Sequence, residues 1–143
     1  DAKLRNSFII SLITQVYVEL ASAATMENAE TPQHRPSYIE KFKAFEKLLE
    51  QHFKSEKSPE KYASRLNITA KHLNRINKEM VGETTSEIIT KRVMLEARRM
   101  LIHSRSNLSE IAYELGFEDY AYFSKLFKKH NGISPLDFRS RHL

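Results

Sequence analysis

Hydrogen-bond donors are concentrated in two short segments of the chain that also carry an apolar residue every third or fourth position. In residues 70–81 the apolar positions are Leu73, Ile76 and Met80, and the donors between them are Lys71, His72, Asn74, Arg75 and Lys78. In residues 120–130 the apolar positions are Phe123, Leu126 and Phe127, and the outward positions are Tyr120, Ala121, Tyr122, Ser124, Lys125, Lys128 and Lys129. This spacing predicts two amphipathic helices, each buried on one face and rich in donors on the other.

Side chains of these types can contact the edges of DNA base pairs when a helix enters the major groove. Arg75 can bind guanine with two hydrogen bonds, Asn74 can bind adenine in the same way, and Ala121 can contact a thymine methyl. Lys78, Lys128 and Lys129 lie further along their helices and are expected to contact phosphates, which position a protein without reading sequence. Lysines opposite an apolar stripe are usually only a solvated face, so one segment alone is weak evidence.

An internal repeat strengthens the prediction. Ala63, Leu66, Asn67 and Ile68 recur 49 positions later as Ala112, Leu115, Gly116 and Phe117. Leu73, Ile76, Lys78, Gly82 and Thr84 recur 50 positions later as Phe123, Leu126, Lys128, Gly132 and Ser134. A short helix, a tight turn and a longer helix are therefore written twice, which is the pattern of two helix-turn-helix units.

Capping residues set the boundaries of the predicted helices. The first unit covers about 58–82: Ser58 caps a short helix that begins at Pro59, Asn67 makes the turn, and Thr69 caps the helix that Gly82 closes. The second unit covers about 107–132, with Asn107 or Ser109 as the first cap, Gly116 at the turn, Asp119 as the second cap and Gly132 at the end. A connecting helix from Ser86 to about His103 and a final helix from Pro135 to Arg141 complete an all-α fold.

The N-terminal part is predicted to be separate. Lys3 to about Ala24 indicates one helix with an apolar surface wider than one small partner needs, and Thr25 to Pro36 indicates a polar linker. Ser37 then caps a helix from Tyr38 to about Lys54. We therefore expect an association helix and linker in residues 1–30 and a DNA-binding domain in residues 31–143. The partner of the association helix is either a domain absent from this sequence or the same helix of a second chain, giving a homodimer.

Composition narrows the class of protein. A net charge of +5 favours an anionic partner without choosing among them. The absence of cysteine suits the cytoplasm, no apolar run is long enough to span a membrane, and the first apolar stretch lacks a signal-peptide cleavage site. The histidines do not pair with carboxylates at metal-binding spacing, and there is no Gly-rich phosphate loop. We therefore expect no catalytic residue, no cofactor and no metal.

Two stretches resemble a known family, the AraC/XylS transcription regulators. They are IAYELGFEDYAYFSKLFKKHNGISPLDFR, Ile111 to Arg139, and VMLEARRML, Val93 to Leu101, and the first unit, KYASRLNITAKHLNRINKEMVG, is similar as well. The resemblance covers roughly Tyr38 to Arg141. Residues before it are similar to the helices that end the sensor and dimerisation domain of cupin-type members, so we expect a fragment that lacks that sensor. The first unit departs from the family pattern at Asn77, where an aromatic is usual, and at Val93, where an arginine is common.

The resemblance implies a bacterial, cytoplasmic regulator that binds double-stranded DNA and contacts RNA polymerase. It places Lys71, Asn74, Arg75, Ala121, Tyr122 and Lys125 at base-facing positions, and phosphate contacts are expected from Thr69, His72, Lys78, Ser124, Lys128 and Lys129. A helical protein-interaction module and an RNA-binding protein are the alternatives that the residues leave open, although the aromatics recur at helical spacing and do not form a stacking platform. The sequence does not decide the operator, the effector, the oligomeric state, or activation against repression.

Overall fold

A computed structural model describes residues 13–18, residue 20 and residues 35–143. The chain divides into two compact units, Asp1–Pro36 and Ser37–Leu143. Within Asp1–Pro36, residues 13–18 and 20 are helical, and Ile13, Val16, Tyr17 and Leu20 are exposed. The remainder of the predicted helix from Lys3 to Ala24, and most of the predicted linker, lie outside the described residues.

Residues 35–143 form seven α-helices joined by short turns, and no strand occurs among the described residues. The helices are α1 (Arg35–His52), α2 (Pro59–Arg65), α3 (Ala70–Val81), α4 (Thr85–His103), α5 (Leu108–Glu114), α6 (Tyr120–Asn131) and α7 (Pro135–Arg141). Helices α2 and α3 make the first helix-turn-helix unit, and α5 and α6 make the second. The all-α fold with two such units joined by a long helix is confirmed.

The two units share the same backbone hydrogen bonds in their turns. The N–H of Ile68 donates to the Ala63 carbonyl at 3.1 Å, and the N–H of Phe117 donates to the Ala112 carbonyl at 2.9 Å. At the equivalent turn position, Asn67 has φ 54° and Gly116 has φ 84°. Left-handed backbone is costly for most side chains but accessible to glycine and asparagine, so each turn residue matches its backbone. The repeat in the sequence is thus a repeat in the structure.

Most of the predicted caps are observed. Thr69 Oγ1 accepts the N–H of His72, Asp119 accepts that of Ala121, and both α3 and α6 end at a left-handed glycine, Gly82 and Gly132. Asn107, and not Ser109, caps α5, since Asn107 and Glu110 exchange hydrogen bonds in a capping box. Thr84 and Glu87 do the same for α4.

Two helix starts and one cap differ from the prediction. Helix α1 begins at Arg35, so Ser37 lies inside it and is not its cap. Helix α4 begins at Thr85, one residue before the predicted Ser86. Ser58 occupies the cap position of α2, but its hydroxyl donates to the Glu60 carboxylate at 2.7 Å and caps no backbone N–H.

Helix α4 is the shared support of both units. It packs against α3, which precedes it in the chain, and against α5 and α7, which follow it. Its buried side chains join those of α1, α2, α3, α5 and α6 in one apolar cluster, with α7 at its margin through Phe138. Val93, where the family commonly has an arginine, is buried in this cluster. Both helix-turn-helix units therefore rest on a single continuous core.

Candidate nucleic-acid interface

Helix α3 carries the first set of predicted contacts on the side away from its core. Leu73 and Ile76 are fully buried, while Lys71, Arg75 and Lys78 are exposed. The helix also exposes one carboxylate, that of Glu79, which was not among the predicted contacts. The outer face of α3 is thus rich in donors, with a single carboxylate near its C-terminal end.

Two asparagines of α3 are held by the start of α4. The backbone N–H of Thr85 donates to Asn74 Oδ1 at 3.0 Å, and Asn77 Nδ2 donates to Thr85 Oγ1 at 2.9 Å. Asn77 is fully buried, and its Oδ1 has no hydrogen-bond partner. The position where an aromatic was expected therefore joins α3 to α4 through a polar contact.

The hydrogen bond to Asn74 restricts what this residue can read. A bidentate contact with adenine uses both the oxygen and the nitrogen of the amide. In the structure the oxygen is already engaged and the side chain is partly buried. Asn74 can offer Nδ2 to DNA in this conformation, but the two-bond contact with adenine predicted from sequence requires the bond to Thr85 to break.

The N-terminal end of α3 holds two predicted phosphate contacts. Thr69 is exposed, but its hydroxyl oxygen already accepts the His72 N–H at 3.1 Å. The His72 ring is partly buried and packs edge-on against Tyr38 of α1, with centroids 5.6 Å apart. The Thr69 hydroxyl keeps its own proton for donation, and the orientation of the His72 ring is set by a neighbouring helix.

Helix α6 presents a second donor-rich face. Phe123 and Phe127 are fully buried, whereas all but one of the predicted contacts are exposed: Ala121, Tyr122, Lys125, Lys128 and Lys129. Ser124 is partly buried. Tyr122 is 61% exposed, and its ring is tilted against that of Phe117, with centroids 6.1 Å apart, so its position is partly fixed before any ligand binds.

The segment between α1 and α2 contacts the turn of the second unit. Lys57 Nζ donates to the Leu115 carbonyl at 2.6 Å and to the Lys54 carbonyl at 3.0 Å, and it lies 4.9 Å from the centroid of the Phe117 ring. Burial lowers the pKa of Lys57, and the nearby Glu56 carboxylate partly opposes this. This contact is not predictable from sequence, because no local pattern links positions 58 residues apart.

A buried carboxylate at the middle of α4 gathers basic side chains. Arg99 donates twice to Glu96, at 2.6 and 2.9 Å, and Lys54 and Arg92 lie within 4.0 Å of it. These hydrogen bonds from Arg99, with the charges around them, hold the pKa of Glu96 below its ordinary value although burial acts to raise it. Arg92 also forms a bidentate pair with Glu50 and stacks on the Phe53 ring at 4.0 Å. The cluster joins α1 to α4 without using a side chain of either donor-rich face.

Neither a metal site nor a membrane helix occurs in the described part of the chain. No group of three or more His, Cys, Asp or Glu side chains is arranged there to hold a metal ion. None of the described helices combines the length and the apolar character needed to cross a bilayer.

The geometry defines a class of protein, one with two helix-turn-helix units that expose donor-rich second helices. A family model described as a helix-turn-helix domain matches residues 62–141, more than half of the chain. The chain belongs to the AraC-type helix-turn-helix family of DNA-binding transcription regulators. This family is not a class of enzymes.

Comparisons with individual proteins agree with this family. The chain is 29% identical over 128 residues to the HTH-type transcriptional activator RhaS of Escherichia coli, covering 90% of this chain and 44% of RhaS. The C-terminal domain of AraT, a response regulator from Geobacillus stearothermophilus, is 28% identical with a TM-score of 0.66, covering 72% of this chain and 85% of that domain. The chain thus spans less than half the length of its curated relative.

A third comparison concerns the fold alone. The DNA-binding domain of the global transcriptional factor AdpA, solved in complex with a target DNA, is 21% identical with a TM-score of 0.63. The match covers 71% of this chain and 90% of that domain.

Proposed function

We propose that residues 31–143 are the sequence-reading module of a transcription regulator, in which α3 and α6 enter successive major-groove segments of double-stranded DNA. The observation that carries this proposal is the contrast between the two faces of both helices. Their inner faces are fully buried at Leu73, Ile76, Phe123 and Phe127, and their outer faces expose lysine, arginine and tyrosine donors. Such a helix matches the width and the acceptor-rich edges of the major groove.

The length of α4 suits this mode of binding. Its 19 residues correspond to about 28 Å of helix, a little less than the roughly 34 Å of one turn of B-DNA. Since α4 packs against parts of both units, one monomer can present both helices to adjacent turns, and a modest bend of the DNA would make up the difference.

Each of the predicted contact residues has a proposed role. Lys71, Arg75, Tyr122 and Lys125 contact base edges with polar atoms, Ala121 contacts a thymine methyl, and Asn74 contributes its Nδ2. Thr69, His72, Lys78, Ser124, Lys128 and Lys129 contact phosphates and fix the register. Arg75 is the strongest candidate for base reading because it is exposed and its guanidinium can bind guanine with two hydrogen bonds.

The complete protein is proposed to act in the bacterial cytoplasm, where the DNA lies, together with RNA polymerase. RhaS is a transcriptional activator by name, and a regulator of similar length would carry a further domain besides the part that this chain spans. We propose that the N-terminal helix connects to that domain or to a second copy.

Selection from a random pool of DNA duplexes tests the proposal. The selected duplex should bind with a log Kd that rises linearly with log salt concentration, and an RNA duplex of the same sequence should compete poorly. Lys43→Ala is a matched control, because Lys43 is exposed on α1 outside both recognition helices. It should affect binding far less than Arg75→Ala. Equal binding of every pool sequence, or no binding at low salt, would contradict the proposal.

A further inference from the structure

Two separate connections join the helix-turn-helix units. The first is α4, which packs against α3, α5 and α7. The second is the segment between α1 and α2, residues 53–58, where Lys57 immediately precedes the cap of α2 and contacts the turn between α5 and α6. The units also share the apolar core, and an attachment away from α4 adds resistance to their twisting about that helix.

The second connection is tight at the level of the backbone. Gly116 has φ +84°, and a Cβ at this position would overlap the carbonyl oxygen of Lys54 and lie 2.7 Å from Lys57 Nζ. Only a residue without a side chain permits this approach. The first unit has Asn67 at the equivalent position, where the side chain is exposed. The segment therefore packs on a surface that the second unit alone provides.

Lys57 satisfies the hydrogen-bonding needs of this contact. Its ammonium group has three donors, of which two meet the Leu115 and Lys54 carbonyls while the cation faces the Phe117 ring. The Leu115 carbonyl belongs to the C-cap residue of α5. Phe117 packs on Phe123 of α6, with centroids 5.2 Å apart. Lys57 is thus linked to the recognition helix of the second unit through one aromatic ring.

We infer that Lys57 is a positioning residue for DNA recognition: it fixes the orientation of α6 relative to α3 and so sets the spacing of the two DNA segments that the protein reads. Lys54, whose side chain is 40% exposed, adds an ion pair with exposed Glu114 at 3.4 Å across the same junction. Exposed pairs of this kind contribute little, so the partly buried Lys57 carries most of the effect. The inference rests on the proposed function, because spacing has meaning only if both helices read DNA.

The first test does not involve DNA. The chain has no cysteine, so Ser64→Cys on α2 and Ser109→Cys on α5 place one spin label on each unit at exposed positions. The full chain should give a narrow distribution of distances between the labels, and Lys57→Met should broaden it at unchanged helix content. Lys43→Met also removes one lysine charge, but at an exposed position on α1, and should leave the distribution narrow. An equally narrow distribution in Lys57→Met would overturn the inference.

The second test measures spacing on DNA. One base pair inserted between the two segments of the selected site rotates them by roughly 35° relative to each other. Wild type should bind the altered site at least about tenfold more weakly than the original site. For Lys57→Met, the difference between the two sites should be less than about threefold. An unchanged tenfold preference in folded Lys57→Met would refute the role of Lys57. If the wild type still bound after the base sequence of either segment was scrambled, the proposed reading by two helices would be refuted. The distances between the spin labels would still test whether Lys57 fixes the orientation of the two units.

A milder variant keeps the inference testable if Lys57→Met is too unstable. Lys57→Gln retains amide donors but is shorter and uncharged, so it cannot reach both carbonyls and face the Phe117 ring at once. It should broaden the label distances and relax the spacing preference. Wild-type behaviour of Lys57→Gln in both measurements would count against the inference.

Discussion

Thr85 illustrates how single residues divide between support and recognition. It is buried, its N–H is bound by Asn74, and its hydroxyl is bound by Asn77. From sequence, Asn74 is predicted to face outward and Asn77 departs from the family pattern. The residue that both of them bind is the first residue of the next helix. A pattern of types and spacings predicts which face a side chain occupies, not which atom on a neighbouring element it binds.

Arg75 and Lys128 should affect DNA binding in different ways. Arg75→Ala should weaken binding to the selected site by about 1–3 kcal/mol and relax the preference at one base pair. Lys128→Ala should weaken binding by similar factors on all sequences and reduce the salt slope by about one, because one phosphate contact is lost. Fluorescence anisotropy over a set of single-base variants and salt concentrations measures both effects. Sequence-dependent losses for Lys128 together with uniform losses for Arg75 would reverse the assigned roles.

Glu96 should make stability depend on pH in the acid range. Its pKa lies below the ordinary value because Arg99 hydrogen-bonds the carboxylate, so the charged form stabilises the folded state. That contribution is complete above the unfolded-state pKa near 4.5 and is lost as pH falls through the lower folded-state pKa. Glu96→Gln should therefore lower the Tm at pH 7, and its difference from wild type should shrink as pH falls below about 4.5.

Thermal unfolding followed by circular dichroism from pH 7 to pH 3 measures this effect. Glu40→Gln, an exposed position on α1, serves as the matched control and should show a small difference throughout. A Tm difference for Glu96→Gln that stays constant with pH would mean that the charge of Glu96 does not stabilise the fold.

At the scale of elements, the helices were predictable where their signals are local. Thr69, Asp119 and Gly132 act within one or two turns of their own helices, and the predicted α3 has the same limits as the observed one. The predicted start of α1 was wrong because the helix already begins at Arg35, before Ser37. A serine near the start of a helix does not by itself show where the helix begins. Pro36 is compatible with this longer helix because a first-turn N–H has no partner within the helix.

The second recognition helix should depend on the aromatic pair beneath it. Phe127 is fully buried between Phe123 and Phe138, with centroid distances of 5.9 and 5.5 Å. Phe127→Ala should cost about 3–5 kcal/mol of unfolding free energy because it leaves a cavity. Such a loss is a large part of the stability of a small domain, so DNA binding should fall together with the Tm.

Tyr122→Ala provides the comparison on the same helix. Tyr122 is largely exposed, so its loss should reduce DNA affinity with a much smaller change in Tm. Urea unfolding and anisotropy on both variants separate the two effects. A stable Phe127→Ala protein that has lost DNA binding would mean that this ring contacts DNA directly.

At the scale of the whole molecule, the long-range contacts were beyond reach of the sequence. The contacts of Lys57 and the Glu96 cluster bring together α4, the end of α5 and the segment between α1 and α2. Their members are ordinary surface residue types when read along the chain, and only the packed arrangement of helices makes them neighbours. The repeat, in contrast, was readable because both copies obey the same local rules of turn and cap.

The N-terminal helix should be dispensable for folding of the DNA-binding unit. A chain that begins at Thr31 should remain folded and monomeric and should bind one site more weakly, because the association element and its gain in effective concentration are gone. The described part of that helix exposes Ile13, Val16, Tyr17 and Leu20, as an association surface would. Sedimentation and anisotropy compare the two chains. An insoluble or molten fragment would show that the helix belongs to the core.

The glycine at the second turn limits how the two halves of this protein can be exchanged. The two units share one pattern, and replacing the second with a copy of the first would put the equivalent of Asn67 at position 116. Its side chain would collide with the Lys54 carbonyl, so a second unit with an otherwise correct fold could not pack against the segment between α1 and α2. Engineered changes of specificity should therefore transplant only outward residues of α3 or α6 and leave both turns in place. The close approach of Lys54 excludes a side chain at position 116, so the two units cannot replace each other although their turns share the same hydrogen bonds.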